Sequence, residues 1–228
     1  LDGGSPRCPL TFGARRSEPE FDQKARTWDD DPVRAARAAE VAHLIGARIP
    51  LRPEMHVLDF GGGTGLLGFH LLPQVASVTF ADPSEGMLGE VERKLQAGGH
   101  ANGRTLRIDP DAPELPRRYD AIVSLMALHH VADPPATIRL LAAHVEPGGW
   151  LALCDLDTED GTFHDDPHAD VHHGFDRDEL ASSVEGVGFG DVRVSTAHIM
   201  RRDRPGGVRE YPLFLLTGQR RPHAPGDS

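Results

Sequence analysis

The sequence predicts an α/β fold: a doubly wound sheet of seven strands, mostly parallel, with helices on both faces and one antiparallel edge. Three observations predict it. Short apolar runs alternate with helical patterns from Met55 to Leu156, and strands separated by helices pair in parallel. The first run breaks into four glycines within five residues (Gly61, Gly62, Gly63 and Gly65) before an apolar pattern resumes. The last two strands, Val192 to Ile199 and Tyr211 to Thr217, have no helix between them, so they can pair antiparallel at one edge.

The elements follow in order. Residues 1–18, rich in Gly, Pro, Arg and Ser, read as a flexible tail. Residues 19–50 hold two accessory helices. Phe21 to Trp28 is short; the second opens with Asp31 as cap and Pro32 at its first position, and runs from Val33 to Arg48. Residues 51–221 form the main domain. Met55 to Leu58 starts the first strand and Val75 to Ala81 the second, which ends at Asp82. A helix spans Ser84 to Ala97 and stops at Gly98-Gly99. Thr105 to Ile108 is the third strand, and Tyr119 to Met126 is an apolar, central fourth. Asp133-Pro134-Pro135 opens a helix, and Pro147-Gly148-Gly149 turns the chain into the strand Trp150 to Leu156. Asp176 with Glu179 makes a capping box for the last helix. An Arg/Pro/Gly-rich loop is expected over 201–207, and 222–228 is a C-terminal tail.

Bulk properties exclude several classes. The 228 residues carry a formal charge of −11, which weighs against a nucleic-acid partner, since phosphate binding calls for a basic surface. No apolar run approaches the ~20 residues of a membrane span. The first residues lack the basic and apolar parts of a signal peptide. Cys8 and Cys154, the two cysteines, stand in unlike settings, which suits a reducing cytoplasm rather than a disulfide framework. Cys154 lies in a core strand and reads as a buried hydrophobe.

Strand, glycine turn and helix together bring backbone amides close to a ligand. Gly63-Thr64-Gly65-Leu66-Leu67-Gly68 fits the G-x-G-x-x-G dinucleotide fingerprint, with Asp82 at the end of the next strand, so an NAD-dependent oxidoreductase is one reading. The wider pattern is Asp59-x-Gly61-x-Gly63-x-Gly65, followed by Phe80 to Leu88, Asp111-Ala112-Pro113-Glu114-Leu115-Pro116, Tyr119 to Ser124, Leu128-His129-His130-Val131 and Glu146 to Trp150. In this order and spacing it resembles the class I S-adenosylmethionine-dependent methyltransferases, small-molecule type with a UbiE-like core, over roughly residues 20 to 220. Gly62 departs from the Cys or Ser common there; it is expected to face the turn and be tolerated.

The resemblance implies a Rossmann-like fold, S-adenosyl-L-methionine as cofactor, S-adenosyl-L-homocysteine as product, and a small-molecule acceptor methylated on O, N or C. It also implies roles. Gly61, Gly63 and Gly65 would let the methionine part lie against backbone, and Asp59 would hold the loop and the cofactor's ammonium. Asp82, followed by Pro83, would accept from two ribose hydroxyls. Met87 would pack on the adenine, Asp111 and the Ala112 amide would meet its polar edge, and Leu125 would lie by the methionine moiety. A cofactor-binding subunit without catalysis is a further alternative.

An oxygen or carbon acceptor usually gives up a proton, and histidine suits that near neutral pH. Of 13 histidines, His130 is the first candidate and His173 the second. His164, His168 and His172 recur at intervals of four, which on a helix would form one face fit for a metal. Pro167 and the lack of apolar periodicity oppose such a helix, so no metal site is assigned. Phe21 and Trp28 in the accessory helices either form a lid over the cofactor or simply pack an added helix against the sheet.

Overall fold

The computed structural model describes residues 17–109, 114–166 and 170–222. The strands are β1 (His56–Phe60), β2 (Ser77–Asp82), β3 (Gly103–Arg107), β4 (Tyr119–Leu125), β5 (Val145–Leu156), β6 (Phe189–Arg204) and β7 (Gly207–Arg220). The helices are α1 (Ser17–Lys24), α2 (Pro32–Arg48), α3 (Leu66–Leu71), α4 (Glu85–Gly98), α5 (Pro134–His144) and α6 (Arg177–Gly186). All seven strands join one sheet in the order β3-β2-β1-β4-β5-β7-β6. Only β7 runs antiparallel to its neighbours. It lies just inside β6, so the last two strands make the antiparallel edge that the missing helix predicts.

Caps begin the helices where the sequence places them. Asp31 Oδ1 accepts from the Val33 amide at 2.9 Å, Asp133 Oδ1 from Ala136 at 2.9 Å, and Asp176 Oδ1 from Asp178 and Glu179. Each satisfies an amide that the first helical turn would leave bare. Helix α1 begins at Ser17, inside the stretch expected as tail.

Two apolar layers sandwich the sheet. Val41 and Ile45 of α2, Leu67 and Leu71 of α3, and Val91 and Leu95 of α4 cover one face. Ile138 and Leu141 of α5 with Leu180 and Val184 of α6 cover the other. Strand β1 pairs with β2 on one side and β4 on the other, so the order reverses there. Such a switch point opens a crevice at the strands' carboxyl ends.

One expectation is corrected. Residues 201–207 are not a loop: β6 runs to Arg204 and β7 starts at Gly207. Strand β5 pairs with β7 only between Leu213 and Gln219. Beyond Leu213 the hairpin is therefore a two-stranded arm, unpaired with β5 but held by Arg37 of α2 and by Thr162 and Phe163. Its sequence hides it because the inward positions pair the buried Met200 and Tyr211 with the half-buried Arg202 and Arg204, so no apolar alternation shows; Val208 at its tip is 63% exposed. Among the described residues, no helix is long and apolar enough to cross a membrane.

Candidate functional site

The glycine turn sits at the switch point. Gly61 and Gly63 adopt φ of +65° and +54°, a region open to glycine at little cost. The Gly61 and Gly62 amides donate to Ala81 O at 2.8 and 3.1 Å, which ties the turn to the end of β2. A Cβ on Gly61 would fall 2.3 Å from that of Ala127, which follows β4. The two loops thus press together across the crevice.

Asp59 lies beneath, fully buried. Its Oδ2 accepts from the Gly68 amide at 3.0 Å and so fixes the start of α3. Its Oδ1 is buried with no partner. Burial first, then the nearby Asp82 charge, raises the Asp59 carboxyl to about 7. Gly62 does not simply face the turn, as the sequence suggested. A Cβ there would stand 2.9 Å from Asp59 Cγ, so the glycine makes room for that carboxylate.

Asp82 ends β2 as expected, 8% exposed. Its Oδ2 accepts from the Gly63 amide at 2.8 Å and its Oδ1 from Ser84 at 2.9 Å. Both oxygens thus point to the turn and the start of α4, the side where a ligand's sugar would lie. Pro83 beside it is half-buried. Met87 is 2% exposed, and its sulfur would be 3.9 Å from a Cβ on Gly63, directly under the turn. Leu125 is half-buried at the end of β4. Asp111 and Ala112 lie outside the described residues.

Met126, which the sequence reading missed, has φ +57°. A non-glycine residue held there marks a constrained functional turn. Its amide donates to Cys154 O at 2.8 Å, tying the β4 exit to β5.

The N-terminal segment closes over the turn. Asp22 Oδ1 accepts from Ser84 Oγ at 2.5 Å and from the Gly86 amide at 2.8 Å. Asp29 accepts from Thr64 Oγ1 at 2.6 Å and pairs with Lys94, which also donates to Thr64 O at 2.7 Å. Phe21 stands edge-on to Trp28 and to His130, with centroids 5.7 and 5.4 Å apart. Phe21 and Trp28, expected as a lid, thus sit on a segment that Asp22 and Asp29 tie to the turn.

Beyond β4 and β5 the histidines gather. His129 Nδ1 is 2.7 Å from Asp155 Oδ1, and its amide donates to Oδ2 at 3.2 Å. The carboxylate only accepts, so Nδ1 carries a proton. The His130 ring lies 4.1 Å from that of His129 and 5.7 Å from that of His164. Burial first, then the two neighbouring imidazoles, holds His130 well below its ordinary value. Burial first, then His129 and Arg202, pushes His164 down to about 4, and its Nε2 is buried without a partner. The arm places His164: Arg202 donates to Phe163 O at 3.0 Å and Arg204 pairs with Asp165 at 2.6 Å.

His173 stands apart from this cluster. It is exposed, and its ring lies beside Gly161. Its neighbour His172 binds Val131 O through Nε2 at 2.8 Å. His168 lies outside the described residues. The sequence reading also missed His129 and Asp155. The doubled His129-His130 was the available signal; an acid at the end of a distant strand gave none.

A glycine turn and a strand-end acid at the switch point of a doubly wound sheet define a protein that binds a nucleotide-like ligand. The chain belongs to the methyltransferase-domain family, which matches it over residues 33–194. The ubiquinone biosynthesis O-methyltransferase of Nitrosomonas europaea is 33% identical over 146 residues, 60% of this chain and 60% of its own length. Its counterpart in Xanthomonas campestris pv. campestris (strain B100) is 34% identical over 164 residues, 68% of each chain. The chain therefore spans about three fifths to two thirds of these curated relatives. Among solved structures, the DhpI–SAH complex superposes with a TM-score of 0.67 at 22% identity, over 90% of this chain and 95% of that one. That likeness shows a shared fold.

Proposed function

We propose that this chain transfers a methyl group from S-adenosyl-L-methionine to an oxygen of a small-molecule acceptor. The observation that carries the reading is the Asp59 carboxylate: buried under a side-chain-free turn, with Oδ1 unpartnered. A buried acceptor without a donor is costly, and the cofactor's ammonium would supply one. The curated relatives' names support oxygen as the acceptor atom.

The residues fit the cofactor in place. Gly61 to Gly63 are half-buried, so the amino-acid end can approach their backbone. The Asp82 oxygens, already set by the Gly63 and Ser84 amides, would accept from the ribose hydroxyls, and Met87 would lie against the base. Asp111 and Ala112 remain candidates for its polar edge, and Leu125 for the methionine chain. When bound, the cofactor supplies a sulfonium-activated methyl.

The chain supplies alignment, exclusion of water and a proton acceptor. Asp22 and Asp29 hold the lid over the turn. His130, kept neutral by its surroundings, has a free ring lone pair at the carboxyl edge and takes the acceptor hydroxyl's proton. With the cofactor bound, its sulfur would keep the S–C electron pair as the methyl passes to the acceptor oxygen. His129, held by Asp155, positions His130. His173 keeps at most an acceptor contact. A cytoplasmic location accords with the free, buried thiol of Cys154.

The test is methyl transfer to a panel of small hydroxylated aromatics, with His130→Asn alongside. Turnover that falls about 10²-fold in the variant supports the reading. Transfer unaffected by His130→Asn removes His130 as the base.

A further inference from the structure

Arg37 of α2 is 8% exposed. One of its N–H bonds goes to the thioether of Met200 at 3.0 Å, and its Nε has no partner. Among the described residues, no carboxylate lies within ion-pair distance of it. Guanidinium does not shed its proton in proteins, and a thioether is a weak acceptor. A buried cation left this way is among the most costly features a fold can carry.

Its surroundings deepen the cost. Arg34 and Arg202 both act on it repulsively. Asp31 favours the Arg37 charge from a distance but caps α2 and pairs with Arg34 at 3.4 Å, and Asp165 pairs with Arg204 at 2.6 Å and reaches Arg202 at 3.9 Å, so among the described residues no acid is within ion-pair distance of Arg37. Burial pushes the Cys154 thiol up, so it stays neutral.

The position is specific. Met200 and Arg202 sit on the β6 side of the arm, and the Arg202 guanidinium lies 4.2 Å over the Phe163 ring. Phe163 precedes His164, whose ring lies 5.7 Å from His130. One end of this region is cationic and the other is neutral imidazole. At each end a buried nitrogen, Arg37 Nε and His164 Nε2, lacks a partner.

We propose that Arg37 and Arg202 form the anion-binding end of the acceptor site, and that the acceptor is a small hydroxy acid whose carboxylate pairs with Arg37. This rests on the methyltransferase reading above. A planar carboxylate matches the guanidinium fork. It would set the hydroxyl at the other end of the molecule toward His130.

The experiment uses the full chain saturated with S-adenosylhomocysteine, titrated calorimetrically with 4-hydroxybenzoate and with 4-hydroxybenzamide. The acid should bind at least about tenfold tighter, as a charge-assisted pair requires. Arg37→Met and Arg202→Met should each remove most of that preference while leaving homocysteine-nucleoside affinity within twofold. Arg37→Met should also raise the melting temperature of the free protein, because an unpaired buried charge is gone. Acid binding no tighter than amide binding in the wild type, or an acid preference that survives Arg37→Met, overturns the proposal. Failure of S-adenosylhomocysteine to bind the wild type would instead refute the methyltransferase reading itself.

Discussion

Asp155 Oδ1 stands 2.7 Å from His129 Nδ1, with both side chains 1% exposed. A carboxylate at the end of β5 thereby fixes the tautomer and plane of an imidazole just past β4, and that imidazole lies against His130. Asp155 is a positioning residue. Asp155→Asn should lower kcat about tenfold to hundredfold, with KM and S-adenosylhomocysteine affinity nearly unchanged, and should shift the pH–rate profile. Steady-state kinetics across pH check this.

Asp59 should make cofactor binding depend on pH. Its carboxyl is raised to about 7, so below that pH an incoming ammonium must displace a proton. Affinity for S-adenosylhomocysteine should then rise about tenfold from pH 6 to pH 8. Asp59→Asn should bind weakly and without that slope. Calorimetry at three pH values measures it.

His164 should leave an acid signature on stability. Its folded value is depressed to about 4, against an ordinary 6.5 in the unfolded chain. The unfolded state thus binds the proton first. The associated stability is complete above about pH 6.5 and is lost as pH falls toward 4. Melting temperatures over that window should fall less steeply for His164→Phe than for the wild type.

Gly62 should tolerate a side chain poorly. A Cβ 2.9 Å from Asp59 Cγ forces the carboxylate aside, and overpacking of this kind costs about 1–3 kcal/mol. Gly62→Ala should lower both the melting temperature and cofactor affinity. Thermal scans with and without S-adenosylhomocysteine separate the two.

The lid rests on few contacts. Asp22→Ala removes the acceptor for Ser84 Oγ and the Gly86 amide, so S-adenosylhomocysteine should dissociate several-fold faster while its association rate changes little. Stopped-flow displacement reads both.

The sequence showed the sheet well, because burial on both faces makes β1, β4 and β5 continuous apolar runs, and local chemistry makes Asp31, Asp133 and Asp176 helix caps. The candidate cofactor end was legible because Asp59, the glycines, Asp82 and Met87 are close in sequence. The proposed acceptor end was not. Asp155 meets His129 across 26 residues, and Arg37 meets Met200 across 163; contacts of that range leave no local pattern. The arm was misread because Arg202 and Arg204 share its inward positions with Met200 and Tyr211, so apolar alternation is lost. His173 ranked second to His130 in the sequence, and in the structure its exposed ring lies beside Gly161.

The central claim is that the turn over Asp59 and Asp82 seats a sulfonium nucleoside. Calorimetric titration of the full chain with S-adenosylhomocysteine and, separately, with NAD tests it most directly. The expected result is one site per chain for S-adenosylhomocysteine, weakened at least tenfold by Asp82→Ala, and no heat with NAD. Binding of NAD alone, or S-adenosylhomocysteine affinity indifferent to Asp82→Ala, would contradict it.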